Sequence, residues 1–543
     1  MRTKSSRRSR RWKLPTSPKL SLPGLLIRAD CSTETGVGHV MRCLALAETW
    51  QSEAASAEFL TSCSSAHIGR RVRSAGVGFS SLARPHPDTG DLPATLERLT
   101  QLTRRDGRRP WLVLDGYHFD TRYQERVREA GWRVLVVDDG VRSTRCHATL
   151  LLNQNINAEQ IVHPCPGDAL QLLGNNYVLL HPSFMAWRNW QRPIPVVARR
   201  VLVTLGGGDP DNVTLRVLRA LEHVTVNQLE VTVAIGAVNP HLEVLKAFVA
   251  GSRLRARLVL DVRNMPELMS ESDVAVATGG STYWELAFMG LPTFVLVLAE
   301  NQRDNAEGLR GAGAACTLDD SDWFADGELA SHLTRICVDQ ELRRNLSRCA
   351  RTLVDGEGCT RVLTTVSGFE DTDFLRSHCK VRSAVLADGV SIWHLANDSG
   401  VRLNSLSPKP IPLDQHLVWF REKVTSTSSS VWVIDLSGTI VALARYDRVD
   451  QDAVEVDFAV ASGLRGRGIG PALLAETAGE ACRRMGATLA KGVVIKGNTA
   501  SERAFVRAGF SRAGEVERKG CQCSVFQLPV SKSIDSPDVR AFH

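Results

Sequence analysis

The stretch IRADCSTETGVGHVMRCLALAETW, residues 27–50, decides how the first part of the chain folds. A short apolar run ends at Asp30, and a loop that carries Gly36 and Gly38 follows it. His39 then opens a segment whose apolar residues recur with helical spacing. Glycines allow a backbone to pass close to a ligand, and a helix N-terminus favours anionic groups. The stretch therefore predicts a strand, a ligand-binding loop and a helix.

The histidine at this helix start has two interpretations. A partly neutral imidazole that stands over a cleft suits the role of general base. A histidine in the same place can also simply cap the loop. The spacing of His39 leaves both interpretations open.

The alternation of short apolar runs with longer amphipathic stretches continues to about residue 370, which is typical of a parallel sheet with ligand groups at the carboxyl ends of its strands. Five of the runs end at Asp or Gly, and they are WLVLD (111–115), RVLVVDD (133–139), RVLVTLGGG (200–208), LEVTVAIG (229–236) and DVAVATGG (273–280). A stretch rich in proline and arginine, residues 188–200, divides them. We therefore predict two Rossmann-like doubly wound domains, over residues 23–190 and 195–370.

The second half contains a pattern that suits a nucleotide. In DVAVATGGSTYWELAFMGLP, residues 273–292, a buried strand is followed by a glycine turn and a helix that starts near Ser281. The turn can offer backbone N–H groups to a diphosphate, and Glu285 can accept hydrogen bonds from both ribose hydroxyls. The alternative is a structural turn whose glycines only permit packing. The expected contacts of the nucleotide ligand are Gly36, Gly38, Gly207, Gly279, Gly280, Ser281, Thr282, Glu285, Asn301 and Gln302.

The third part of the chain, residues 380–530, has a different pattern. VWVIDLSGTIVALARYDR, residues 431–448, predicts an antiparallel hairpin that turns at Ser437 and Gly438. Further on, a strand that runs to Val460 is followed by R-G-R-G-I-G (465–470) and an apolar helix. Glycines at such a helix start leave backbone amides free for a pyrophosphate.

Several blocks between residues 28 and 302 resemble, in the same order, the UDP-2,4-diacetamido-2,4,6-trideoxy-β-L-altropyranose hydrolases of pseudaminic acid biosynthesis. These blocks are RADCSTETGVGHVMRCLALA (28–47), LVLDGYHFD (112–120), VLVVDDG (134–140), LLNQN (151–155), LLGNNYVLLHPSF (172–184), VTLGGGDPDNVT (203–214) and MPELMSESDVAVATGGSTYWELAFMGLPTFVLVLAENQ (265–302). The resemblance implies the glycosyltransferase-B fold, His39 as the base that activates water, and Tyr117 beside the sugar. His181 stands where that family usually has arginine, and a lost cation would weaken substrate binding more readily than it would abolish the chemistry.

Residues 380–530 resemble the GNAT N-acetyltransferases, because R-x-x-G-x-G is followed by N-x-x-S and then G-F at Gly509 and Phe510. The resemblance implies an α+β domain with a mixed, largely antiparallel sheet and acetyl-CoA as cosubstrate, with no metal. The expected acetyl-CoA contacts are Val460, Arg465, Gly466, Arg467, Gly468, Ile469, Gly470, Asn498 and Ser501.

The acceptor side of the same domain is less well defined. The resemblance places Trp393, Asn397, His416, Trp419 and Phe420 there, although we prefer core packing for the last two. Phe505 replaces the tyrosine that many GNAT enzymes use to protonate the leaving thiolate. Either Glu455 or Asp457 could hold a water that takes the proton of the amine.

The net charge of +7 does not indicate a nucleic-acid partner, because much of it lies in residues 1–19, which contain no acidic residue. We predict tails over residues 1–22 and 531–543. No apolar run approaches the roughly 18 residues of a membrane span, so membrane insertion is not expected. The 13 cysteines are scattered, which predicts reduced thiols in the cytoplasm and neither a disulfide framework nor a structural zinc.

The two resemblances fit one reaction sequence. The acetyltransferase would convert UDP-4-amino-4,6-dideoxy-N-acetyl-β-L-altrosamine into the diacetamido sugar, and the hydrolase would then remove UDP. The expected partners are the UDP-linked amino sugar and acetyl-CoA, with other enzymes of the pathway as candidates. The alternative is a UDP-sugar transferase of the glycosyltransferase-B type, with a GNAT domain that is inactive or serves as a binding module.

Overall fold

The computed structural model covers the whole chain, and its placement is described for most residues. The described residues are 20, 22–31, 36–63, 65–138, 146–161, 163, 165, 169–206, 208–236, 239–260, 262, 264–298, 300–318 and 327–531.

The first sheet has seven parallel strands in the order β3-β2-β1-β4-β5-β6-β7. The strands are β1 (Leu25–Ala29), β2 (Ala57–Thr61), β3 (Gly78–Ser81), β4 (Trp111–Asp115), β5 (Arg133–Val137), β6 (Leu150–Asn153) and β7 (Leu170–Leu173). The helices around it are α1 (Gly38–Ser52), α2 (Ala66–Ser74), α3 (Asp91–Asp106) and α4 (Thr121–Glu129). Strands β1 and β4 are buried along their whole length, which explains why they appear in the sequence as continuous apolar runs.

The second sheet has six parallel strands in the order β10-β9-β8-β11-β12-β13. The strands are β8 (Arg200–Thr204), β9 (Glu230–Ile235), β10 (Arg255–Leu260), β11 (Val274–Thr278), β12 (Thr293–Leu296) and β13 (Cys316–Leu318). The helices are α5 (Val213–Glu222), α6 (Leu242–Gly251), α7 (Met265–Ser270), α8 (Ser281–Phe288), α9 (Glu300–Gly311), α10 (Glu328–Val338) and α11 (Gln340–Leu353). Both parallel sheets confirm the predicted fold class.

The connection between these sheets is held by arginines. Arg192 donates to the carbonyls of Met289, Ser272 and Met269. Fully buried Arg343 donates to the carbonyls of Pro195 and Val196 within the connection. Because buried guanidinium groups need acceptors, these bonds fix the path of residues 188–200.

The third sheet has seven strands in the order β14-β15-β16-β17-β18-β20-β19, and the β17–β18 pair is parallel while the other pairs are antiparallel. The strands are β14 (Cys379–Ser383), β15 (Ser429–Leu436), β16 (Thr439–Arg448), β17 (Ala453–Val460), β18 (Leu489–Ile495), β19 (Ser511–Arg518) and β20 (Cys521–Pro529). The helices are α14 (Gly389–Ala396), α15 (Ser399–Leu403), α16 (Leu413–Thr425), α17 (Ile469–Met485) and α18 (Thr499–Arg507). The predicted hairpin turns at Ser437 and Gly438, which both have positive φ, as a two-residue hairpin requires.

Two helices, α12 (Gly358–Glu370) and α13 (Thr372–His378), join the second sheet to the third. Val362, Val366 and Phe369 of α12 belong to one buried cluster that also contains side chains of the first and third sheets. Glu370, at the end of α12, accepts a hydrogen bond from Trp111 Nε1 at 2.8 Å. The change of fold near residues 367–382 therefore takes place inside packed helices.

The prediction that the thiols are reduced is wrong for one pair. Cys31 and Cys63 form a disulfide, with their Cα atoms 4.8 Å apart. They follow β1 and β2, which are neighbours in the first sheet, so the pairing depends on strand order and not on sequence spacing. Within the described residues, no helix is both long and apolar enough to cross a bilayer.

Candidate functional site

Two helix starts meet across the cleft between the first and second sheets. A Cβ atom on Gly38, where α1 begins, would lie 3.3 Å from Oγ of Ser281, where α8 begins. Among the described residues, no side chain caps either N-terminus. By contrast, the carboxylate of Asp209 already accepts the amides of Val213 and Thr214 at the start of α5. The N-termini of α1 and α8 are therefore the ones that can receive an anion.

His39 is held from behind by a buried carboxylate. Its Nδ1 atom lies 2.6 Å from Oδ1 of Asp115, the last residue of β4. Arg42, one turn further along α1, donates to the same carboxylate through Nε at 2.7 Å and Nη2 at 2.6 Å. Because Nδ1 is engaged, Nε2 is the ring nitrogen that can accept a proton. Neither Asp115 nor Arg42 was predicted as a site residue, although the sequence shows that this strand ends at Asp.

The charge on Asp115 is secured by its surroundings. Burial alone would raise the pKa of Asp115, but the charges and hydrogen bonds of Arg42 and His39 outweigh burial and hold the pKa well below its usual range. Asp115 is fully buried and stays ionised at any ordinary pH. A fixed negative charge is therefore always present behind His39.

The other predicted catalytic residue lies next to this histidine. The rings of Tyr117 and His39 meet edge to face with their centroids 5.3 Å apart, and Tyr117 is 43% exposed. The following residue, His118, lies with Nε2 2.8 Å from Oδ2 of Asp30, which helps to fix the loop. The structure thus brings His39 and Tyr117 together, with the tyrosine on the open side.

Gly279 and Gly280 form the turn between β11 and α8. A Cβ atom on Gly279 would meet its nearest neighbour at 3.5 Å and one on Gly280 at 3.6 Å, which are ordinary contacts. Neither glycine has a positive φ. Packing within the chain therefore does not explain why both positions are glycine, which favours the ligand-binding interpretation over the structural one. Asn305, which no sequence pattern indicated, donates to the Gly279 carbonyl at 2.7 Å.

Glu285 lies in a pocket between the first and second sheets that is also lined by Arg42, Arg71 and His181. Burial raises the pKa of Glu285 to about 7, although the charges of His181 and Arg71 act to lower it. None of the described residues donates a hydrogen bond to this carboxylate. Such a group is available to accept hydrogen bonds from a ligand.

The structure describes some of the remaining residues expected at the UDP-sugar site and not others. Gly36 has φ +69°, which only glycine adopts readily, while Thr282 lies in the first turn of α8. The Gln302 side chain accepts the amide of Leu298 at 3.2 Å. Gly207 lies outside the described residues, and so does the side chain of Asn301, which belongs to α9.

His181, the departure from the hydrolase pattern, lines the same pocket. Its Nε2 atom lies 3.0 Å from a carboxylate oxygen of Glu48 on α1, and Nδ1 contacts Ser183. The histidine therefore connects α1 to the chain that leads into the second sheet.

The third sheet opens at one point, between β17 and β18. The two strands pair from Ala453–Leu489 to Val456–Gly492. β17 then continues to Val460 and β18 to Ile495, with no further pairing between these described segments. Diverging parallel strands leave unpaired backbone groups facing a gap, and such groups can bind an extended ligand.

The turn R-G-R-G-I-G lies at the end of β17. Gly466 and Gly468 have φ +77° and +82°, so both positions require glycine for conformational reasons. Gly470 is different, because its Cβ atom would lie 3.0 Å from the Phe458 ring and its role is close packing of α17 on β17. Gly468 is the N-cap of α17, and the described residues provide no side-chain cap there. Ile469 is the first residue of the helix.

The two arginines of the turn are engaged with protein groups. Arg467 donates to the carbonyls of Gly368 and Phe369 at 3.0 and 2.8 Å and so caps α12. Arg465 donates to the Val460 carbonyl at 3.0 Å and, through Nη2, to Asp398 at 3.0 Å. Carbonyl groups of α12 therefore occupy the Arg467 guanidinium, and a contact of Arg467 with acetyl-CoA stays a prediction.

The N-x-x-S segment forms the start of α18. Asn498 is the N-cap, and its side chain accepts the amide of Ser501 at 3.2 Å. The role observed for this pair is helix capping. Phe505 is buried and packs on Phe458, Phe510 and Phe526. It has no proton to donate, so it cannot serve as the acid that a tyrosine would supply.

The residues expected on the acceptor side are largely structural. Trp393 Nε1 and Asn397 Nδ2 donate to the Ile411 carbonyl at 2.7 and 3.0 Å, which holds the loop before α16. Phe420 is buried and stacks on His416, whose pKa is lowered to about 4 by burial. The burial of Phe420 agrees with the interpretation that this residue packs in the core. Trp419 is partly exposed and lies under the Arg445 guanidinium at 5.0 Å.

The two candidates for handling the amine proton lie on one face of β17. Glu455 is paired with Arg518 at 3.1 Å. Asp457 lies 3.5 Å from Arg445 and is 75% exposed, so it is the more accessible carboxylate. Among the described residues, no group of three or more His, Cys, Asp or Glu side chains could hold a metal ion.

Two family models match the chain. Residues 201–351 match the glycosyltransferase family 28 C-terminal domain, and residues 393–510 match the acetyltransferase (GNAT) family. In the solved structures, MurG of Acinetobacter baumannii aligns with 64% of this chain and 99% of its own, at 16% identity and a TM-score of 0.45.

Two curated relatives resemble the first part. Spore coat polysaccharide biosynthesis protein SpsG of Bacillus subtilis is 30% identical over 190 residues, 35% of this chain and 56% of the relative. The UDP-2,4-diacetamido-2,4,6-trideoxy-β-L-altropyranose hydrolase of Campylobacter jejuni is 22% identical over 292 residues, 53% of this chain and 97% of the relative. The chain spans a little over half the length of the first curated relatives that it matches. The chain therefore joins a part that is similar to the Campylobacter jejuni hydrolase to a C-terminal part that matches the GNAT acetyltransferase family.

Proposed function

We propose that the chain is a bifunctional enzyme that acetylates a UDP-linked 4-amino sugar and then hydrolyses the resulting UDP-2,4-diacetamido-2,4,6-trideoxy-β-L-altropyranose. The observation that carries the hydrolase half is the His39–Asp115 pair, which faces the uncapped start of α8 across the cleft. The proposed domains span residues 23–190, 195–370 and 380–530.

In the hydrolysis, His39 Nε2 accepts a proton from a water molecule. The water oxygen forms a bond to the anomeric carbon while the bond from that carbon to the diphosphate oxygen breaks, with inversion. UDP leaves with the electron pair, and the N–H groups at Ser281 and Thr282 stabilise its charge. Glu285 accepts the ribose hydroxyls, Asn301 and Gln302 are assigned to the diphosphate or the sugar, and Tyr117 contacts the sugar. Asp115 keeps the His39 ring oriented.

In the acetyl transfer, the turn at Gly466, Gly468 and Ile469 holds the pyrophosphate of acetyl-CoA, and the gap between β17 and β18 takes the rest of the cosubstrate. The amine of the sugar attacks the thioester, and a water molecule held by Asp457 or Glu455 takes its proton. Because Phe505 is not an acid, the leaving thiolate is protonated by water or by another group. Asp457 is the better candidate because it is more exposed.

A cytoplasmic location stays a prediction, and the Cys31–Cys63 disulfide is unusual for that compartment. Other enzymes of the pathway stay candidate partners. The substrates of the proposed reactions are a UDP-linked amino sugar and acetyl-CoA.

His39→Ala tests the hydrolase half. The substitution should reduce UDP release from the diacetamido substrate by about two to four orders of magnitude, because general base catalysis supplies that much. The affinity for UDP, measured by calorimetry, should stay within about twofold because His39 does not hold the nucleotide. Near-normal turnover of this variant would contradict the assignment of the base.

The match of residues 201–351 to a glycosyltransferase domain favours a second candidate, transfer of the sugar to an acceptor. Measuring UDP release by the unsubstituted protein in the absence of any acceptor distinguishes hydrolysis from transfer. A hydrolase releases UDP and free sugar under these conditions, whereas a transferase releases neither at a useful rate. Mass spectrometry of the UDP-4-amino sugar after incubation with acetyl-CoA tests the other half, and an inactive GNAT domain would leave its mass unchanged.

A further inference from the structure

One cation at the acetyl-CoA turn comes from outside the matched acetyltransferase segment, residues 393–510. Arg376 lies on α13, and its Nη2 atom donates to the carbonyl of Arg467 at 3.3 Å. The same nitrogen lies 2.8 Å from the position that a Cβ atom of Gly468 would take. A guanidinium from the junction helix therefore lies over the glycine at which α17 begins.

The donors that the backbone of the turn offers to a diphosphate are uncharged N–H groups. Pro471, in the first turn of α17, has no N–H group. The N–H groups of Gly466, Gly468, Ile469 and Gly470 lie at or just before the start of the helix. A backbone N–H group carries no formal charge, whereas a hydrogen bond from a charged donor to a phosphate is about twice as strong.

The two arginines within the turn do not supply a charged donor to the diphosphate. Arg467 is bound to the carbonyls that end α12, and Arg465 is bound to the Val460 carbonyl and to Asp398. Moving either one would break two or more hydrogen bonds. Among the residues that the structure describes, the cation available to a ligand at Gly468 is therefore Arg376.

Arg376 can change partners at little cost. Its side chain is 52% exposed, and the nearest carboxylate, Asp373 on the same helix, lies 3.7 Å away and is itself 94% exposed. An exposed pair at that distance contributes little stability. A guanidinium has five N–H donors in a planar fork that matches a phosphate, and one of them contacts the Arg467 carbonyl.

We propose that Arg376 binds the diphosphate of acetyl-CoA and completes the turn of the acetyltransferase part from the helix that connects it to the hydrolase part. This inference rests on the proposed acetyltransferase function. It also explains the role of the junction, because α12 and α13 are held to the first and third sheets and so fix Arg376 beside Gly468.

Calorimetry on the full-length chain tests the proposal with two ligands, coenzyme A and 3′-dephospho-coenzyme A. Arg376→Gln should raise the Kd of both ligands by about 10- to 100-fold, because a charge-assisted hydrogen bond is lost. Arg376→Lys, which keeps the charge without the fork, should give an intermediate loss. Arg348→Gln is the matched control, because Arg348 is also exposed and has one weak contact on its own helix, to Asn345. The control should bind both ligands normally.

Three outcomes would overturn the proposal. Unchanged affinity in Arg376→Gln would remove Arg376 from the site. A loss confined to coenzyme A would place Arg376 at the 3′-phosphate instead of the diphosphate. Failure of the unsubstituted chain to bind either ligand would overturn the acetyltransferase function together with this inference, whereas binding that is indifferent to Arg376 overturns the inference alone.

Discussion

Replacing Asp115 by asparagine would remove one negative charge from a buried group of side chains while keeping the size of the side chain. Asp115 accepts from Nδ1 of His39 at 2.6 Å and from two nitrogens of Arg42 at 2.6 and 2.7 Å. Cys43 Sγ lies 3.3 Å from the second oxygen. The carboxylate has two acceptor oxygens, whereas an asparagine amide has one acceptor oxygen and one donor nitrogen. The amide therefore cannot accept the hydrogen bonds of both His39 and Arg42 in the same way.

The size of the effect follows from these contacts. A hydrogen bond to a charged group contributes about 1.5–3 kcal/mol, which corresponds to a factor of about 10 to 200 in rate. The kcat for UDP release should fall by this factor, because His39 loses the group that orients it. The substitution would also break the buried ion pair between Asp115 and Arg42, so the free energy of unfolding should fall by about 3–5 kcal/mol.

A double-substitution cycle separates the catalytic effect from the structural one. UDP release is measured for the unsubstituted chain, Asp115→Asn, His39→Ala and the combined variant, below the melting temperature of each. If Asp115 acts through His39, adding Asp115→Asn to His39→Ala should change the rate by less than about threefold. The same 10- to 200-fold loss in both backgrounds would refute the positioning role. Circular dichroism and UDP binding show that each variant is folded.

Two further predictions concern the nucleotide site and the turn. The affinity for UDP should rise as the pH increases through about 7, because the ionised Glu285 accepts the ribose hydroxyls and its pKa is raised to about 7. Calorimetry between about pH 6 and 8 should show this rise in affinity. The same rise in Glu285→Gln would contradict the role of Glu285. Gly468→Val should abolish acetyl-CoA binding, because a branched side chain is disfavoured at φ +82° and would collide with Arg376. Hydrolysis of the diacetamido substrate should persist in the Gly468→Val preparation, and retained acetyl transfer would refute the role of the turn.

Local patterns in the sequence determined the elements and several functional positions. The apolar runs of β4 and β11, the glycine turn before Ser281 and the hairpin at Ser437–Gly438 are all where the sequence predicts them. Each depends on the preferences of neighbouring residues, so a single sequence is enough to find it. The glycine loop and the family resemblance together pointed to His39, whereas Tyr117 was predicted from the resemblance alone, and the structure brings their rings together.

Tertiary structure alone decided which side chains meet. Asp115 is 76 residues from His39 in the chain, and the pair forms because β4 lies beside β1, which leads into α1. The disulfide between Cys31 and Cys63 likewise depends on the pairing of β1 with β2. Packing of α12 likewise places the Arg467 guanidinium on helix carbonyls, and the position of α13 places Arg376 over Gly468. Such contacts depend on strand order and helix packing, which the local periodicity of a sequence does not encode.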